Sequence, residues 1–362
     1  MKRFGPIFIF CFFISFFYPA EAKRDQPLYW DIEKLAQMKN NLEKDPDSQY
    51  IIQRANTFIL QPNKAVTIDK RLNLGPNEHY YCSMGPYRWA DPDNPNSFIL
   101  RDGVINPDYL YYDVGKLAEM VSRCTYFSKA FYLTHDLKYY DAFISQIKEW
   151  FLNEETYMEP NFDYSQVKEN NIGSSSGMID AYQFNALLES VRLVNMTKRI
   201  DRKTYNGLKR WINSFAVWSV AKYGDYFKKV NNNISLAFDV TMIDLFVFSG
   251  ERKKAKIIAK DFTKTRIINQ ISEDGKQEVE LKRTRAYYYS IYNLSHILDY
   301  CYMVSIWDKN YYQKYGGRVD KAFEFLLSYV DQPDTFPYQQ ITDWEECERM
   351  LIIENERRLK LR

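Results

Sequence analysis

Residues 110–151 read LYYDVGKLAEMVSRCTYFSKAFYLTHDLKYYDAFISQIKEWF, and this stretch decides the class of fold. Apolar and aromatic side chains recur at every third or fourth position from Leu110 to Thr134 and again from Leu137 to Phe151. This spacing puts them on one face of a helix, and the polar break at 134–136 predicts a tight turn. The stretch therefore predicts two helices that form a hairpin.

Most of the chain that follows repeats this pattern. Helices of roughly ten to twenty residues joined by short polar turns, without alternating strand patterns, are typical of an all-α protein. Because there are too many of them for a four-helix bundle, we expect successive hairpins to close into a ring. The further predicted helices are Met178 to Met196, Arg202 to Val220, Ser235 to Phe248, Lys253 to Ile271, Ala286 to Ile306, Arg318 to Tyr329 and Trp344 to Leu359.

The size and composition favour one large domain. The chain has 362 residues, of which 46% are hydrophobic and 17% aromatic, and this is enough for one large core or two ordinary ones. Thirteen glycines and thirteen prolines leave no room for a long flexible linker. We therefore expect a single domain over residues 23–362.

The first residues, MKRFGPIFIFCFFISFFYPAEAK, have the pattern of a secretory signal peptide. A basic start is followed by an apolar stretch and then by small residues that are typical of a cleavage site. A membrane anchor would instead need ~20 apolar residues without such a site. We predict cleavage after Ala22, which removes residues 1–22 and places the protein in the periplasm or outside the cell. No later segment is long and apolar enough to span a bilayer.

The charge balance and the cysteines argue against several classes of partner. The chain carries 49 basic and 47 acidic residues without a basic block, which gives no electrostatic case for nucleic acid. Four cysteines after the signal peptide, Cys82, Cys124, Cys301 and Cys347, lack metal-ligand spacing, so we predict no metal site. They form either one disulfide or buried free thiols. No nucleotide-binding, catalytic serine or zinc motif is present, and we predict no cofactor.

The segment from Asn73 to Asn106 differs from the helical pattern. It is rich in proline, glycine, asparagine and aromatic residues and is predicted to be a long ordered loop. Loops of this length in a compact domain are usually functional. The alternative is a surface strap packed by its own aromatic residues, and composition does not decide between the two.

Histidine is scarce, which limits the catalytic chemistry that the chain can use. His135 lies in the predicted turn and His296 in a tyrosine-rich helix, so we expect the first in solvent and the second in the core. Only His79, in the long loop, remains a candidate for a functional site.

The segment Gln277 to Leu294, QEVELKRTRAYYYSIYNL, holds the most informative pair of residues. Arg283 and Tyr289 are six positions apart, so within a helix the guanidinium would lie close to the phenol. A nearby cation lowers the pKa of a phenol, which would let Tyr289 transfer protons without a histidine. The alternative is that the tyrosines of this segment only pack in the core.

Seven segments, in one order from about His79 to Leu298, resemble the alginate lyase family of polysaccharide lyases. HYYCSMGPYRWADPDNP is similar to the family's HDY…PYWWPDP loop, RDGVINPDYLYYD to RDGxxNPE, and YLTHDLKYY to YLTGDxKYA. MEPNFDYSQ resembles MNPNLNYAQ, GSSSGMIDA stands at GRGxGIID, and NNISLAFDV stands at NNHGTWYDV. ISEDGKQEVELKRTRAYYYSIYNL matches DGSQPLELxRTRSxHYSxFNL. The resemblance implies an incomplete α/α toroid of helical hairpins, with the long aromatic loop over a cleft.

The resemblance also implies an activity, which is β-elimination on a polymer of 1,4-linked uronic acids, and an acidic polysaccharide or oligosaccharide as ligand. Carried over by position, Tyr289 is the catalytic acid and base, Arg283 its partner, and Asn233 the amide that neutralises the substrate carboxylate. The implied substrate-binding residues are Asn232, Asn161, Gln166, Tyr87, Trp89 and His79.

The chain departs from the family pattern at two positions. Ile234 stands where the family has its catalytic histidine, and Ser174 stands where the GRGxG motif has arginine. Isoleucine neither takes nor donates a proton, and the serine removes a cation that would help to hold a uronate.

Three interpretations therefore stay open. In the first, the chain is a lyase that works through Tyr289 and Arg283, with His79 assisting. In the second, it is a catalytically impaired member that binds an acidic oligosaccharide. In the third, the toroid carries another carbohydrate reaction, such as hydrolysis by a pair of carboxylates. The candidates for that pair are Asp180, Asp239 and Glu280.

Overall fold

The structure, a computed structural model, describes residues 26–94, 97–168, 172–341 and 343–362. Within these residues it contains twelve α-helices and one short two-stranded sheet, so the predicted all-α class is confirmed. The predicted signal peptide, residues 1–22, and the predicted start of the domain at residue 23 lie outside the described residues. Among the described helices, none is long and apolar enough to cross a bilayer.

The helices are α1 (Ile32–Asn40), α2 (Pro46–Ile59), α3 (Asp113–Thr134), α4 (Leu137–Phe151), α5 (Gln183–Thr197), α6 (Arg202–Phe227), α7 (Asn233–Ser249), α8 (Arg252–Ala259), α9 (Ala286–Val304), α10 (Tyr311–Tyr315), α11 (Gly317–Leu327) and α12 (Trp344–Leu359).

The predicted hairpin consists of α3 and α4. Its turn is made by His135, whose φ of 56° lies in the left-handed region and ends α3. Asp136 then caps α4, because its carboxylate accepts from the N–H of Lys138 at 3.0 Å. The polar break in the sequence is therefore a helix end followed directly by a helix start.

The helices form an incomplete ring of two layers. α3, α5, α7 and α9 contact one another in series, and further helices pack on them: α4 on α3, α6 and α8 on α7, and α12 on α9. α7 and α9 are buried on nearly all sides, as expected for helices whose apolar residues are not confined to one face. In the described part of the chain α3 and α9 make no extended contact, so the ring stays open between them. This is the predicted incomplete α/α toroid.

The N-terminal segment lies at this opening. The backbone N–H groups of residues 28–30 all donate to the buried carboxylate of Glu189, at 2.9–3.0 Å. α1 follows and packs against α3, and an ion pair between Asp31 and Lys360 joins its start to the end of α12. The segment therefore spans the opening from α3 to α12.

The long aromatic loop lies against the start of α9. It carries a hairpin of two short strands, β1 (Arg88–Ala90) and β2 (Phe98–Leu100). Beyond the hairpin, Gly103 has a φ of +75°, and a Cβ on it would lie 2.4 Å from the hydroxyl oxygen of Thr284. Since only glycine tolerates both conditions, the loop packs here directly on the chain that leads into α9.

Of the two alternatives for the cysteines, the structure supports buried free thiols. The four cysteines among the described residues are all buried, and no disulfide joins any of them. Burial raises the pKa of the Cys347 thiol to about 11, so this thiol stays protonated at neutral pH. These side chains therefore act as small apolar groups in the packing.

Candidate active site

Tyr289 lies in the first turn of α9, where the loop and the helix meet. Its side chain is only 6% exposed, and its hydroxyl is hydrogen-bonded to the hydroxyl of Tyr87 from the aromatic loop. The first turn of α9 is closed by the N–H of Tyr289, which donates to the carbonyl oxygen of Arg285 at 2.9 Å. The phenol is therefore held by a regular helix on one side and by the loop on the other.

The guanidinium of Arg283 lies against the ring of Tyr289, 3.8 Å from its centre. Two hydrogen bonds of 3.1 and 2.5 Å join it to the carboxylate of Asp102, and they hold the pKa of Asp102 below its ordinary value. The predicted proximity of Arg283 to Tyr289 is confirmed, and Asp102 is the residue that fixes it. We call Tyr87, Asp102, Arg283 and Tyr289 the phenol cluster.

The contact with Arg283 acts on the pKa of the phenol in the predicted direction, but it does not decide the net shift. Burial raises the pKa of Tyr289 well above its ordinary value, and the adjacent Tyr87 raises it further. The Arg283 cation lowers the pKa, but by less than burial raises it. Tyr289 is therefore a neutral phenol in the free protein. The prediction missed this, because spacing along the sequence carries no information about burial.

Asn233 begins α7 and is held by Glu280. Its backbone N–H and its side-chain amide each donate to the Glu280 carboxylate at 2.8 Å, and both side chains are buried. One hydrogen of the side-chain amide remains for another acceptor. Asn232 caps the helix, since its side chain accepts from the N–H of Ser235 at 3.1 Å. Glu280 is also close enough to Arg283 to act on it electrostatically, so Asn233 borders the phenol cluster.

A second polar group centres on Asp180. Its carboxylate accepts from the hydroxyls of Tyr81 and Ser83, at 3.0 and 2.7 Å, and from the side-chain amide of Gln166 at 3.0 Å. Burial raises the pKa of Asp180 to about 6, although these donors oppose the shift. Gln166 has a left-handed backbone with a φ of 42°. We call Tyr81, Ser83, Gln166 and Asp180 the Asp180 cluster.

The phenol cluster and the Asp180 cluster border the same space. Burial raises the pKa of both Tyr109 and Tyr292, and interactions with Asp180 and with Tyr87 raise both pKa values further. Because such interactions weaken with distance, Asp180 and Tyr87 both lie near these two phenols. The aromatic loop, α9 and the Asp180 cluster therefore lie close together.

Three predicted substrate-binding residues make their hydrogen bonds to groups outside the phenol cluster and the Asp180 cluster. Trp89 lies on the hairpin, where its indole N–H donates to the carbonyl oxygen of Val104 at 3.1 Å. His79 is hydrogen-bonded through Nδ1 to a backbone carbonyl at 2.6 Å, and Asn161 accepts from a backbone N–H two residues ahead at 3.2 Å. Their roles in substrate binding stay predictions.

The two departures from the family pattern are not replaced by an equivalent group within the described residues. Ile234 is half-buried and packs on the core, and Ser174 donates its hydroxyl to the carbonyl oxygen of Gln166 at 2.9 Å. His135 is exposed and His296 is fully buried, both as predicted. The site therefore presents phenols, an amide and a guanidinium. The His296 imidazole packs on the ring of Tyr292, with 4.3 Å between the ring centres, but it is fully buried.

The three carboxylates considered for hydrolysis are all engaged. Asp239 accepts from the guanidinium of Arg266 at 2.7 Å, and Glu280 accepts the two hydrogen bonds of Asn233. Asp180 accepts from its three donors. None of the three is left to act as the freely exposed base that hydrolysis would need.

Two residues that hold the site were not predicted to do so. Asp102 lies in the RDG motif, and Glu280 lies three positions before Arg283. Both stand in segments that the family resemblance had singled out, so a signal for them existed. Their partners lie 181 and 47 positions away, however, and such pairings are not visible in local spacing.

The fold is an incomplete α/α toroid, and the family match decides the class of the protein. Residues 66–336 match the alginate lyase family. The chain belongs to this family, as its sequence motifs predicted.

Among solved structures, one similar chain agrees with this assignment, and more distant chains are similar to a lesser degree. The crystal structure of an alginate lyase from Bacteroides ovatus is 30% identical and has a TM-score of 0.85, and the match covers 92% of this chain and 90% of that one. Alginate lyase A1-III from Sphingomonas species A1 is 16% identical, with a TM-score of 0.49 over 82% of each chain. A complex of A1-III with a tetrasaccharide is 16% identical, with a TM-score of 0.50 over 82% of this chain and 81% of that one, and this likeness shows the fold alone. No curated protein matches the chain.

Proposed function

We propose that the protein is a polysaccharide lyase that cleaves an alginate-like polymer of 1,4-linked uronic acids by β-elimination. The observation that carries the proposal is the phenol cluster, in which the Tyr289 hydroxyl is buried beside a guanidinium and under the aromatic loop. Family membership and the similarity to the Bacteroides ovatus alginate lyase support the substrate class. Because residues 1–22 have the pattern of a signal peptide, we expect the protein to act in the periplasm or outside the cell.

The reaction requires the removal of a weakly acidic proton from C5 of a uronate. The neighbouring carboxylate is already negative, so it must be neutralised before more charge develops on it. The second amide hydrogen of Asn233 is suited to this task, because Glu280 holds the first one. The Arg283 guanidinium adds positive charge beside the reacting phenol.

Tyr289 acts in this proposal first as base and then as acid. Its ionised oxygen takes the proton from C5, the electron pair of the C5–H bond forms the C4=C5 double bond, and the bond from C4 to the glycosidic oxygen breaks. The phenol then returns the proton to the leaving oxygen. The products are a new chain end and an unsaturated uronate, and no water is consumed. Because burial raises the pKa of Tyr289, the ionised form depends on Arg283 for stabilisation.

Of the alternatives, binding without catalysis has the stronger support, since Ile234 and Ser174 remove two groups of the family pattern. Hydrolysis by a carboxylate pair has less support, because the candidate carboxylates already accept hydrogen bonds from neighbouring donors. Each alternative has its own outcome in the experiment that tests the proposal.

That experiment is incubation of the protein with polymannuronate, polyguluronate, glucuronan and glycosaminoglycans, with the ultraviolet absorbance of the unsaturated uronate as readout. We expect product from at least one of the uronate polymers and a rate loss of about 10²–10⁴-fold in Tyr289→Phe. Tyr287→Phe is the matched control, because the Tyr287 hydroxyl donates to the carbonyl oxygen of Leu326 in the core at 3.0 Å.

The remaining outcomes separate the alternatives. Binding to these polymers without any product would contradict the lyase and support a binding protein. New reducing ends without ultraviolet absorbance would support hydrolysis. A Tyr289→Phe variant as active as Tyr287→Phe would remove Tyr289 from its assigned role.

A further inference from the structure

A cavity of about 1240 Å³ lies at the opening of the ring. It is open to solvent and lined by residues 28–35, by α3 and by parts of α2, α9 and α12, and it shares no lining residue with the phenol cluster or the Asp180 cluster. Its volume exceeds the roughly 300–1,000 Å³ of most small-molecule sites. The cavity is therefore large enough for a ligand of more than one sugar ring and is separate from the cleft.

Lys129, on α3, is the unusual group in the wall of this cavity. It is half-buried, and its ammonium lies 4.5 Å from the centre of the Trp30 ring. In the described part of the chain no carboxylate forms an ion pair with it. Burial lowers the pKa of Lys129, and the charge of Lys34 lowers it further. A partly buried cation without a counter-ion is disfavoured, and an anionic ligand would offset that cost.

The acids of the wall do not neutralise this cation. Glu33 lines the cavity but forms no ion pair with Lys129, and the other acids are engaged with different cations. Their ion pairs are Asp31 with Lys360, Asp47 with Lys34 at 3.9 Å, and Asp299 with Arg357. Among the described residues that line the cavity, Lys129 is therefore the cation that an entering anion meets unpaired.

Tyrosine rings supply the rest of the recognition surface. Tyr50 and Tyr126 stand edge to face with their ring centres 6.1 Å apart, and Tyr302 lines the same cavity. Flat aromatic faces pack on the apolar C–H faces of sugar rings, and the hydroxyls of tyrosine bond to those of the sugar. A carboxylate carried by such a sugar would form a charge-assisted hydrogen bond to the lysine.

We propose that this cavity binds an acid sugar, with its carboxylate on the Lys129 ammonium and its ring against the tyrosines. The site is a second carbohydrate site, at the opening of the ring rather than in the cleft. It requires no turnover, so it stands or fails independently of the proposed lyase activity.

The test is a titration of the Tyr289→Phe variant with tetramannuronate. The readouts are the heat of binding and the tryptophan fluorescence. A carboxylate that binds Lys129 draws its ammonium away from Trp30, so we expect a fluorescence change that Trp30→Phe abolishes. In Lys129→Met, added to the same background, we expect one binding site fewer, or at least about tenfold weaker binding at this site. Lys198→Met is the matched control, because Lys198 lies 4.2 Å over Tyr140 on the exposed surface.

Two further ligands separate the contributions of charge and sugar ring. We expect cellotetraose, which lacks carboxylates, and acetate, which lacks a ring, to bind at least about tenfold more weakly than tetramannuronate. Equal binding of cellotetraose, or an unchanged fluorescence titration in Lys129→Met, would overturn the proposal. Acetate that binds as tightly as tetramannuronate would overturn the assignment to an acid sugar. If Lys129→Met does not fold, Lys129→Gln gives the same comparison.

Discussion

The hydroxyl of Tyr87 is hydrogen-bonded to the hydroxyl of Tyr289, across 202 positions of the sequence. This contact puts the aromatic loop on the group to which we assign proton transfer. Because the contact raises the pKa of Tyr289, the loop favours the neutral phenol in the free protein. Burial and the charge of Asp102 also raise this pKa, so a substrate that displaces Tyr87 removes one of its three causes.

Tyr87→Phe is expected to lower the pKa of Tyr289 and to move the rise of kcat/KM to lower pH. The variant keeps the aromatic ring but removes the hydroxyl that raises the pKa. We expect KM to rise, because the loop loses a polar contact for the sugar, and kcat at neutral pH to be kept. A pH–rate profile checks both effects. A loss of kcat as large as that of Tyr289→Phe would contradict the assignment of proton transfer to Tyr289 alone.

Arg283→Gln is expected to act in the opposite direction. Arg283 is the neighbour that lowers the pKa of Tyr289, so its loss raises that pKa and moves the rise of kcat/KM to higher pH. At a pH below the pKa of the phenol, raising that pKa by about one reduces the ionised fraction roughly tenfold, so we expect a loss of about tenfold or more at pH 7. Arg283→Lys keeps the charge without the two-bond contact to Asp102 and should give an intermediate profile. If kcat/KM of Arg283→Gln rises at the same pH as that of the wild type, Arg283 does not act on the phenol.

Asp102→Asn is expected to reduce kcat/KM by about tenfold while changing stability little. The ion pair with Arg283 is partly exposed, so its loss costs about 0–1 kcal/mol of unfolding free energy, but the guanidinium loses its anchor. Asp108→Asn is the control, since that exposed carboxylate only reaches Arg71 at 4.0 Å. Kinetics and urea unfolding are measured on both variants. Equal activity in the two would show that Asp102 does not position the site.

Glu280→Gln is expected to lower both stability and kcat. Glutamine offers one acceptor oxygen, so it keeps only one of the two hydrogen bonds from Asn233, and we expect a loss of about 1–3 kcal/mol in urea unfolding. The amide of Asn233 then loses its orientation toward the substrate, which lowers kcat more than it changes KM. Glu278→Gln, at an exposed position, is the control. Wild-type kcat in the folded Glu280→Gln variant would limit Glu280 to a structural role.

Ile234→His restores the residue of the family pattern next to Asn233. Since Ile234 is half-buried, the lost apolar contact costs on the order of 1 kcal/mol. The added imidazole is mostly neutral at pH 7 and supplies a base, so we expect a faster rate at pH 7 and a weaker dependence on pH. Ile234→Asn, which adds polarity without a base, is the comparison. If the two variants have equal rates, the position does not face the reacting sugar.

The helices could be predicted where polar caps bound a periodic segment. α4 and α12 begin and end at the predicted residues, and α7 differs by two residues at its start and one at its end. The start of α3 was placed three residues early, because residues 107–111 form a 3₁₀ turn with a similar spacing. The segment 253–271 was predicted as one helix, but a π-helical turn at 263–268 follows α8. Periodicity does not distinguish these backbones, and α1, α2 and α10 were not predicted.

The site could be predicted as far as sequence spacing and the family motifs reach. The proximity of Arg283 to Tyr289 follows from their separation of six positions at the start of a helix. Tyr87 was predicted as a site residue from the family's loop motif. The partners Asp102 and Glu280 could not be found in this way, because each bond joins segments that only the folded toroid brings together. The direction of the Tyr289 pKa failed for the same reason, since burial is a property of the whole fold.

The joint between α1 and α12 has a consequence for the motion of the ring. There the ion pair between Asp31 and Lys360 is exposed to solvent, and such pairs are weak and screened by salt. The helices of the arc from α3 to α9 are instead joined by buried apolar side chains. We therefore expect α1 to separate from α12 more often than any helix leaves the arc, and more often at high ionic strength. Such local opening would let a dissolved sugar acid reach Lys129 while the rest of the toroid stays folded.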